Sequence, residues 1–276
     1  MAERVLSRTQ IVLQQQERAR YWFGVQVTIW WFIILAVLLF AFSGIRFDLG
    51  PLSITTIRLD TEFITTWIPF ISGGVLQTIY ISIVSIILAS VLALLSALAR
   101  LSGVPPLVAL SGFYVSLIRG TPLYLQIFFF FLALPQIGIK LSGPVAGITA
   151  LSLNYGAYMS EIFRAGIEGV SRGQREAAIA LGMTQGQLMR RIILPQALRL
   201  VIPPVGNDFI AMLKDSALVS ATGFVQEIMW RAEKVGKANF RGLEALLVAA
   251  LWYWLMTIIF TAVQANIENR LARGDR

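Results

Sequence analysis

The chain has 276 residues, of which 57% are hydrophobic and 14% charged, and its mean hydropathy is +0.71. Charged residues make up about a quarter of ordinary soluble domains, so this composition excludes a soluble globular protein and a disordered chain. The sequence contains no cysteine and no histidine, which excludes disulfides, imidazole metal sites and Ser-His-Asp catalysis. What remains is an α-helical membrane protein that moves a solute. The net charge of +8 is typical of arginines on cytoplasmic loops and does not indicate nucleic-acid binding.

Four stretches are uncharged and long enough to cross a bilayer, which takes about 20 residues per helix. They are residues 22–42, 63–99, 141–160 and 245–267. In the second stretch, Gly73-Gly74 indicates that the helix itself begins near Val75. The first stretch is too long for a signal peptide and is followed by no clear cleavage site, which favours an uncleaved span.

A fifth stretch, 106–134, is apolar but is cut by Arg119-Gly120-Thr121-Pro122. As one helix it would be about 44 Å long, which exceeds the ~30 Å hydrocarbon core of a bilayer. We therefore predict one tilted helix that is bent or broken at Gly120 and Pro122, with its first turns near the cytoplasmic face.

A sixth stretch, 200–222, carries Asp208, Lys214 and Asp215 and is too polar to face lipid. It is predicted to be a central helix that faces other protein or a water-filled path. The expected fold class is therefore an all-α polytopic membrane protein with six transmembrane helices. Their expected bounds are 22–42, 75–99, 106–134, 143–166, 200–222 and 245–267.

The distribution of lysine and arginine predicts the orientation of these spans. With the N-terminus inside, 14 of the 23 basic residues fall on the inner side and seven on the outer side, while Arg119 and Lys214 lie in the membrane. This excess predicts that both termini are cytoplasmic, although the outer segment 231–241 is unusually basic. Residues 4–20 are expected to form either a short amphipathic helix on the inner surface or an unstructured tail.

The longest inner loop, 167–199, is predicted to contain a helix, a stop and a second helix. Residues 176–181 are good helix formers, and Gly182 can end that helix in a left-handed conformation. Thr184 can N-cap the second helix, with Gln187 in the capping-box position three residues later.

Ala177 and Ala178 give this first helix a smooth face that lets another surface approach closely. From composition alone, an amphipathic connector lying on the membrane is an equal alternative. The spacing favours a docking helix, because Glu-Ala-Ala, three residues, Gly182, nine residues and Ile-x-Leu-Pro195 resembles the signature loop of bacterial ABC importer permeases. In that family the loop forms a coupling helix that docks on a cytoplasmic ATPase.

Other motifs resemble the polar amino acid subfamily of these permeases. They are Gln77-Thr78, Arg100-Leu101-Ser102, Arg119-Gly120-Thr121-Pro122, Ala157-Tyr158-x-x-Glu161-Ile162-x-Arg164 and Lys214-Asp215-Ser216. The resemblance implies a type I importer fold with five core helices, to which the first span is an extra N-terminal helix without an assigned role. The implied division is a cytoplasmic segment (1–21), the extra helix (22–42), an outer loop (43–72), a permease domain (73–268) with a coupling helix at 172–186, and a cytoplasmic tail (269–276).

The resemblance also implies partners in the bacterial cytoplasmic (inner) membrane. They are two ABC ATPase subunits, a second permease subunit that is identical or related, an external amino-acid-binding protein, an amino acid substrate and membrane lipid, with no nucleic acid. The chain has no G-x-x-x-x-G-K-[ST] phosphate loop, so ATP and Mg are expected on the ATPase, and neither a cofactor nor a catalytic residue on this chain. The loop 172–195 is expected to couple the two subunits. Its expected ATPase contacts are Glu176, Ala177, Ala178 and Gly182.

The expected substrate path begins at Arg119, because a charge within the bilayer is expensive and usually functional. Its guanidinium and the backbone at Gly120 and Thr121 could bind a carboxylate. The alternative is that Arg119 pairs with an acidic group and so holds two helices together.

Asn154, Tyr158 and Glu161 share one face of the fourth span and complete the expected path. Glu161 could receive a substrate ammonium or guanidinium, and a salt bridge with Arg164 is an equal alternative.

In the fifth span, Asn207, Lys214 and Asp215 are expected to form gate or inter-helix contacts. Two rival functions stay open: an ion-gradient-driven secondary transporter, and an ABC permease for a solute other than an amino acid.

Overall fold

The computed structural model describes residues 8–49 and 52–272, and the chain divides into two compact units, 1–61 and 62–276. The first unit contains helix α1 (Arg8–Ala41) and an antiparallel hairpin of β1 (Arg46–Leu49) and β2 (Leu52–Thr55). Helix α1 runs without a break through the first expected span. Of the two alternatives for 4–20, the unstructured tail is wrong for the described residues 8–20, which are helical. The helix is longer than expected and continues into the span, since no proline or glycine interrupts the sequence before Gly24.

The second unit is a bundle of helices. Their bounds are α2 (Thr61–Ser72), α3 (Val75–Leu101), α4 (Pro105–Arg119), α5 (Leu123–Phe128), α6 (Gly143–Glu168), α7 (Arg172–Ala180), α8 (Gln185–Leu188), α9 (Leu194–Asp215), α10 (Ile228–Ala238) and α11 (Gly242–Ala272). Two π-helical turns, Phe129–Ala133 and Met189–Ile193, and two 3-10 segments, Leu134–Ile137 and Ser216–Thr222, continue or join these helices. The helical fold class and the start of α3 at Val75 agree with the predictions.

Fewer helices than six are both long and apolar enough to cross a membrane by themselves. Within the described residues these are Gln16–Ala41, Thr61–Leu101 and Gly242–Leu271, with a fourth when the bent pair after Pro105 is counted as one span. Helices α6 and α9 are less apolar because they carry glycine, proline, amide and charged residues. Such residues are tolerated in a span that faces protein, so six spans stay a prediction.

The break predicted at Gly120 and Pro122 is present, but the two halves do not form one tilted helix. Helix α4 and the segment from Leu123 onward are bent by 105°. The amide of Gly120 bonds the carbonyl of Ser116 at 3.0 Å and ends α4, while Pro122 is in an extended conformation and starts α5. Proline lacks an amide hydrogen and disfavours helix before it, so the chain changes direction there.

Helix α6 lies at the centre of the main apolar cluster, against α3, α5 and α9. Its glycines allow backbones to approach closely. A Cβ on Gly147 would lie 2.2 Å from Cγ1 of Val219, and a Cβ on Gly166 would lie 2.5 Å from Cγ2 of Val201. These two glycines fix where α6 meets the first half of α9 and the 3-10 segment that follows α9.

A second apolar cluster joins α2, α10 and α11. Residues 61–72, which were expected to belong to an outer loop, form α2 because Phe63 and Ile71 are buried in this cluster. A Cβ on Gly74 would lie 2.5 Å from the amide nitrogen of Ile228. The lack of a side chain at Gly74, between α2 and α3, therefore allows the start of α10 to pack closely against this turn.

Candidate functional site

A polar cavity of about 380 Å³ lies where the break between α4 and α5 meets α6 and α9. Its lining residues are Thr121, Pro122, Leu123, Asn154, Tyr155, Tyr158, Asp208, Ala211 and Asp215. The structure thus brings Thr121, Asn154 and Tyr158 of the expected path together, with Asp215 from the expected gate. Asp208 and Tyr155 complete this wall, and the sequence did not predict them as part of the path.

Hydrogen bonds hold the cavity walls in place. Nδ2 of Asn154 donates to Oε1 of Gln126 at 3.1 Å, and Nε2 of Gln126 donates to Oγ1 of Thr121 at 2.9 Å and to the carbonyl of Ile118 at 2.8 Å. Gln126 therefore ties α6 to the broken helix. Sequence reasoning missed this buried amide, although a glutamine in an otherwise apolar stretch was a signal.

Arg119 lies beside the cavity and does not line it. Its Cζ is 5.0 Å from the centroid of the Tyr158 ring, in a cation–π contact. Among the described residues it forms no ion pair, so the alternative of an acidic partner finds no support. Gly120 is exposed next to it. The guanidinium is held at the cavity edge with its donors open to an anionic group.

Asp208 is the least satisfied charged group of the cavity. It lines the wall on α9, and its buried Oδ2 accepts no hydrogen bond from the described part of the chain. A buried carboxylate without a partner is costly, which makes this oxygen the natural acceptor for a cation or a hydrogen-bond donor.

Glu161 is placed away from the cavity lining, in an ion-pair network. It pairs with Arg100 on α3 and, at 2.9 Å, with Arg164, which in turn contacts Glu168 at 2.6 Å. The structure therefore agrees with the salt-bridge alternative for Glu161 and extends it to a second helix.

The expected gate residues lie in three different settings. Oδ2 of Asp215 accepts a hydrogen bond from the Tyr155 hydroxyl at 2.7 Å, which joins α9 to α6. Oδ1 of Asn207 accepts from Nε2 of Gln264 at 3.1 Å, which joins α9 to α11. Lys214 is exposed and has no ion pair within the described chain.

The loop between α6 and α9 has the local structure that its sequence predicts. Gly182 follows α7 with a φ of +76°, and the backbone there is left-handed. Thr184 and Gln187 form a full capping box at the start of α8. Both features depend only on residues close in sequence, and both predictions are confirmed.

The outer face of α7 differs from the predicted contact face at one position. Glu176, Ala177 and Gly182 are exposed, whereas Ala178 is only 4% exposed and packs in a small apolar cluster with Ile167 and other residues. Of the two alanines predicted to form one smooth contact face, Ala177 thus faces solvent and Ala178 faces the interior. Two apolar residues that the prediction missed are also exposed beside Ala177. Ile179 is 51% exposed and Leu181 is 79% exposed.

Within residues 8–49 and 52–272, no group of three or more acidic side chains is arranged to hold a metal ion. The site consists of a cavity between helices and an exposed loop that carries the apolar side chains of Ile179 and Leu181.

Comparison with known proteins agrees with this geometry. Residues 89–273 match the family described as "Binding-protein-dependent transport system inner membrane component". The chain is 38% identical over 219 residues to the arginine transport system permease protein ArtQ of Bacillus subtilis (strain 168), covering 79% of this chain and 100% of that protein. It is 43% identical over 220 residues to the L-cystine transport system permease protein TcyB of the same organism, covering 79% and 93%.

Solved structures have the same fold. A crystal structure of an amino acid ABC transporter with histidines aligns with a TM-score of 0.72 at 34% identity, over 77% of this chain and 99% of that one. An inward-facing MetNI methionine ABC transporter aligns with a TM-score of 0.62 at 18% identity, over 75% and 97%, which concerns the fold alone. The family match, the fold and the loop after α6 agree: the chain belongs to the binding-protein-dependent transport system inner membrane components and is an integral membrane permease with the type I ABC importer fold.

Proposed function

We propose that this permease forms the membrane path of an ATP-driven importer for amino acids. The observation that carries the proposal is the cavity at the helix break, where one wall has two carboxylates and the edge has a guanidinium. An amino acid carries both charges, and each can meet its opposite there. The relatives named for arginine and L-cystine transport support the same cargo class.

The two ends of the substrate would be recognised by different groups. Arg119 is suited to the α-carboxylate, because a guanidinium offers paired donors to a carboxylate. The expected help from the backbone at Gly120 and Thr121 is not supported, since both amides already donate to the carbonyls of Ser116 and Ile118. Asp208 and Asp215 are suited to an ammonium or guanidinium, and Asn154 and Tyr158 line the space between. The two carboxylates, with no basic residue in the lining itself, favour a substrate with an additional cationic side chain.

The loop 172–195 would couple this path to a separate ATPase that binds ATP and Mg. The exposed set Glu176, Ala177 and Gly182, with the apolar side chains of Ile179 and Leu181, forms the docking surface. Exposed apolar residues of this size at a helix end are typical of a protein contact. Asn207, Lys214 and Asp215 lie on the helix that would move between the inward-open and outward-open states.

The working assembly would contain two ATPase subunits, two permease subunits and an external amino-acid-binding protein. The permease domain 73–268 supplies the path and the coupling helix 172–186. Both termini would be cytoplasmic, with the excess of arginine on that side, and the helix 22–42 would be additional to the five helices of the permease core.

The first experiment is purification of the tagged chain from detergent, with identification of the proteins that co-purify, and then reconstitution in liposomes. An ATPase in equal amount, with uptake of amino acids that depends on ATP and on the binding protein, is the expected result. A chain that purifies alone and moves solute along an ion gradient would instead make it a secondary transporter. ATP-dependent uptake of peptides or anions, but not of amino acids, would keep the coupling and change the cargo.

A further inference from the structure

Arg175 on α7 reaches back to the end of α6. Its Nη2 donates to the carbonyl of Ile167, and its Nε donates to the carbonyl of Val170 at 3.3 Å. The carbonyl of Ile167 lies in the last turn of α6, where the backbone acceptors have no helical partner and the helix dipole is negative, and that of Val170 lies in the turn just after the helix. A guanidinium satisfies both at once and thereby sets the angle between α6 and α7.

Gln174, the preceding residue, makes a different link. Its Oε1 accepts a hydrogen bond of 2.5 Å from Nε2 of Gln196, which lies in the first turn of α9 and also donates to the carbonyl of Ile192 at 3.0 Å. Neighbouring residues of a helix point in directions about 100° apart. Arg175 and Gln174 can therefore reach two separate helices from one turn of α7.

An apolar cluster fills the space between the two links. Ala178 packs there with Ile167, Val170 and Ala197. At the neighbouring residue of α6, a Cβ on Gly166 would lie 3.3 Å from the carbonyl of Ala197, so α6 and α9 are in close contact at this end. The three helices α6, α7 and α9 are thus joined by packing in the middle and by a polar link on each side.

We propose that Arg175 and the Gln174–Gln196 pair are positioning residues that carry the movement of α7 to the two walls of the cavity separately. The proposal rests on the proposed function of α7 as the coupling helix. Arg175 acts on α6, which bears Asn154 and Tyr158, and the glutamine pair acts on α9, which bears Asp208. Cutting either link leaves the exposed docking face of α7 unchanged but separates ATPase movement from cavity movement.

The test uses the reconstituted importer and measures ATPase co-purification, basal ATP hydrolysis and uptake per ATP. In Arg175→Met we expect normal co-purification and basal hydrolysis, with uptake per ATP lowered by about tenfold, within the usual range of coupling between sites. Arg175→Lys should recover part of the uptake, because an ammonium can donate to one of the two carbonyls. Gln196→Leu should lower uptake per ATP as well.

Two matched controls isolate the links from charge and polarity. Arg270 in the last turn of α11 lies outside the coupling loop, is exposed and forms no hydrogen bond through its side chain in the described chain, so Arg270→Met should couple as the wild type does. Gln226→Leu, at an exposed position before α10, is the control for Gln196→Leu. Monodisperse elution and an unchanged melting temperature identify variants that fold. If Arg175→Met does not fold, Arg175→Lys tests the link to α6 and Gln196→Leu tests the link to α9.

Normal coupling in folded Arg175→Met or Gln196→Leu would overturn the role of that link. Lost ATPase co-purification in Arg175→Met would make Arg175 a direct docking residue, and an equal loss in Arg270→Met would make charge alone responsible. These results leave the proposed function standing. A wild-type chain that binds no ATPase would overturn both proposals together.

Discussion

The hydroxyl of Tyr155 on α6 donates a hydrogen bond of 2.7 Å to Oδ2 of Asp215, the last residue of α9. This bond joins the two cavity walls at the end of α9 that is farthest from the coupling loop. Tyr155→Phe removes the donor and keeps the ring, so we expect a loss of about 1.5–3 kcal/mol, the usual range for a hydrogen bond to a charged group. The melting temperature in detergent checks the loss, and Tyr124→Phe, an exposed tyrosine, is the control. Equal melting of the two variants would contradict a structural role for this bond.

Asp208→Asn should change stability and transport in opposite directions. Because the buried Oδ2 of Asp208 has no hydrogen-bond donor in the described chain, a neutral amide removes an unpaired charge but still buries a polar atom, and we expect a gain in stability of about 1 kcal/mol, the low end of the range for an unsatisfied group. Uptake of arginine and lysine should fall more than uptake of glutamine. Competition uptake in liposomes measures the ratio, with Glu233→Gln as control, because Glu233 lies outside the cavity lining and pairs with Lys237. A uniform fall for all three amino acids would remove Asp208 from substrate recognition.

Glu161→Gln should act on stability and not on selectivity. Glu161 holds Arg100 on α3 and Arg164 on α6, and its loss leaves two partly buried guanidinium groups without this partner. We expect a destabilisation of about 1–3 kcal/mol, between the values of exposed and buried pairs. Uptake of neutral and cationic amino acids should fall by one common factor. Glu168→Gln, whose partner is Arg164 alone and whose side chain is half exposed, should have a smaller effect. Substrate-dependent uptake in Glu161→Gln would return this residue to the path.

Gly182→Val should distort the end of the coupling helix. Gly182 has a φ of +76° and no heavy atom within 4 Å of the position a Cβ would take, so the penalty comes from backbone conformation and not from a clash. A β-branched residue in this left-handed conformation costs about 1–2 kcal/mol or more. We expect normal insertion but weaker ATPase co-purification and reduced uptake. Gly186→Val, also without a near neighbour but with an ordinary φ, is the matched control, and an identical loss in both would contradict the argument.

The protein's stability should depend on pH through Glu227, which lies outside the predicted spans. Its carboxylate is fully buried, caps α10 through the amides of Met229 and Trp230, and accepts the hydroxyl of Tyr253. Burial raises the pKa of Glu227 to about 7, and the charge of nearby Glu233 adds to this.

A raised pKa in the folded protein means that the folded state binds the proton more tightly than the unfolded state does. The contribution to stability is therefore complete below about pH 4.3 and is lost as the pH rises through about 7. The limiting slope for one proton is about 1.4 kcal/mol per pH unit. Unfolding in detergent between pH 5 and pH 8 should lose this slope in Glu227→Gln but keep it in Glu233→Gln. Parallel wild-type and Glu227→Gln curves would contradict the assignment.

Local chemistry explains the features that could be predicted from the sequence. Gly182 and the box of Thr184 and Gln187 depend on neighbours within a few residues, as does the break at Pro122. Contacts distant in sequence were out of reach. Arg100 and Glu161 lie on different helices 61 residues apart, and nothing in either segment names the other as its partner.

The direction of a side chain on a short helix was equally hard to predict. Ala177 and Ala178 are identical in chemistry, and only the packing of α7 on its neighbours decides which of them is buried. The sequence shows Asp208 as a charge within a predicted span. That its Oδ2 has no hydrogen-bond donor in the described chain depends on how the surrounding helices pack, which the sequence does not reveal.

The glycines at the two ends of α6 have a mechanical consequence. A helix of 26 residues is about 39 Å long, which exceeds the thickness of the hydrocarbon core. Because Gly147 meets Val219 and Gly166 meets Val201 with no room for another carbon, α6 packs without a gap near both of its ends, against α9 and the 3-10 segment that follows it. Any movement of one cavity wall relative to the other must therefore open these two glycine contacts.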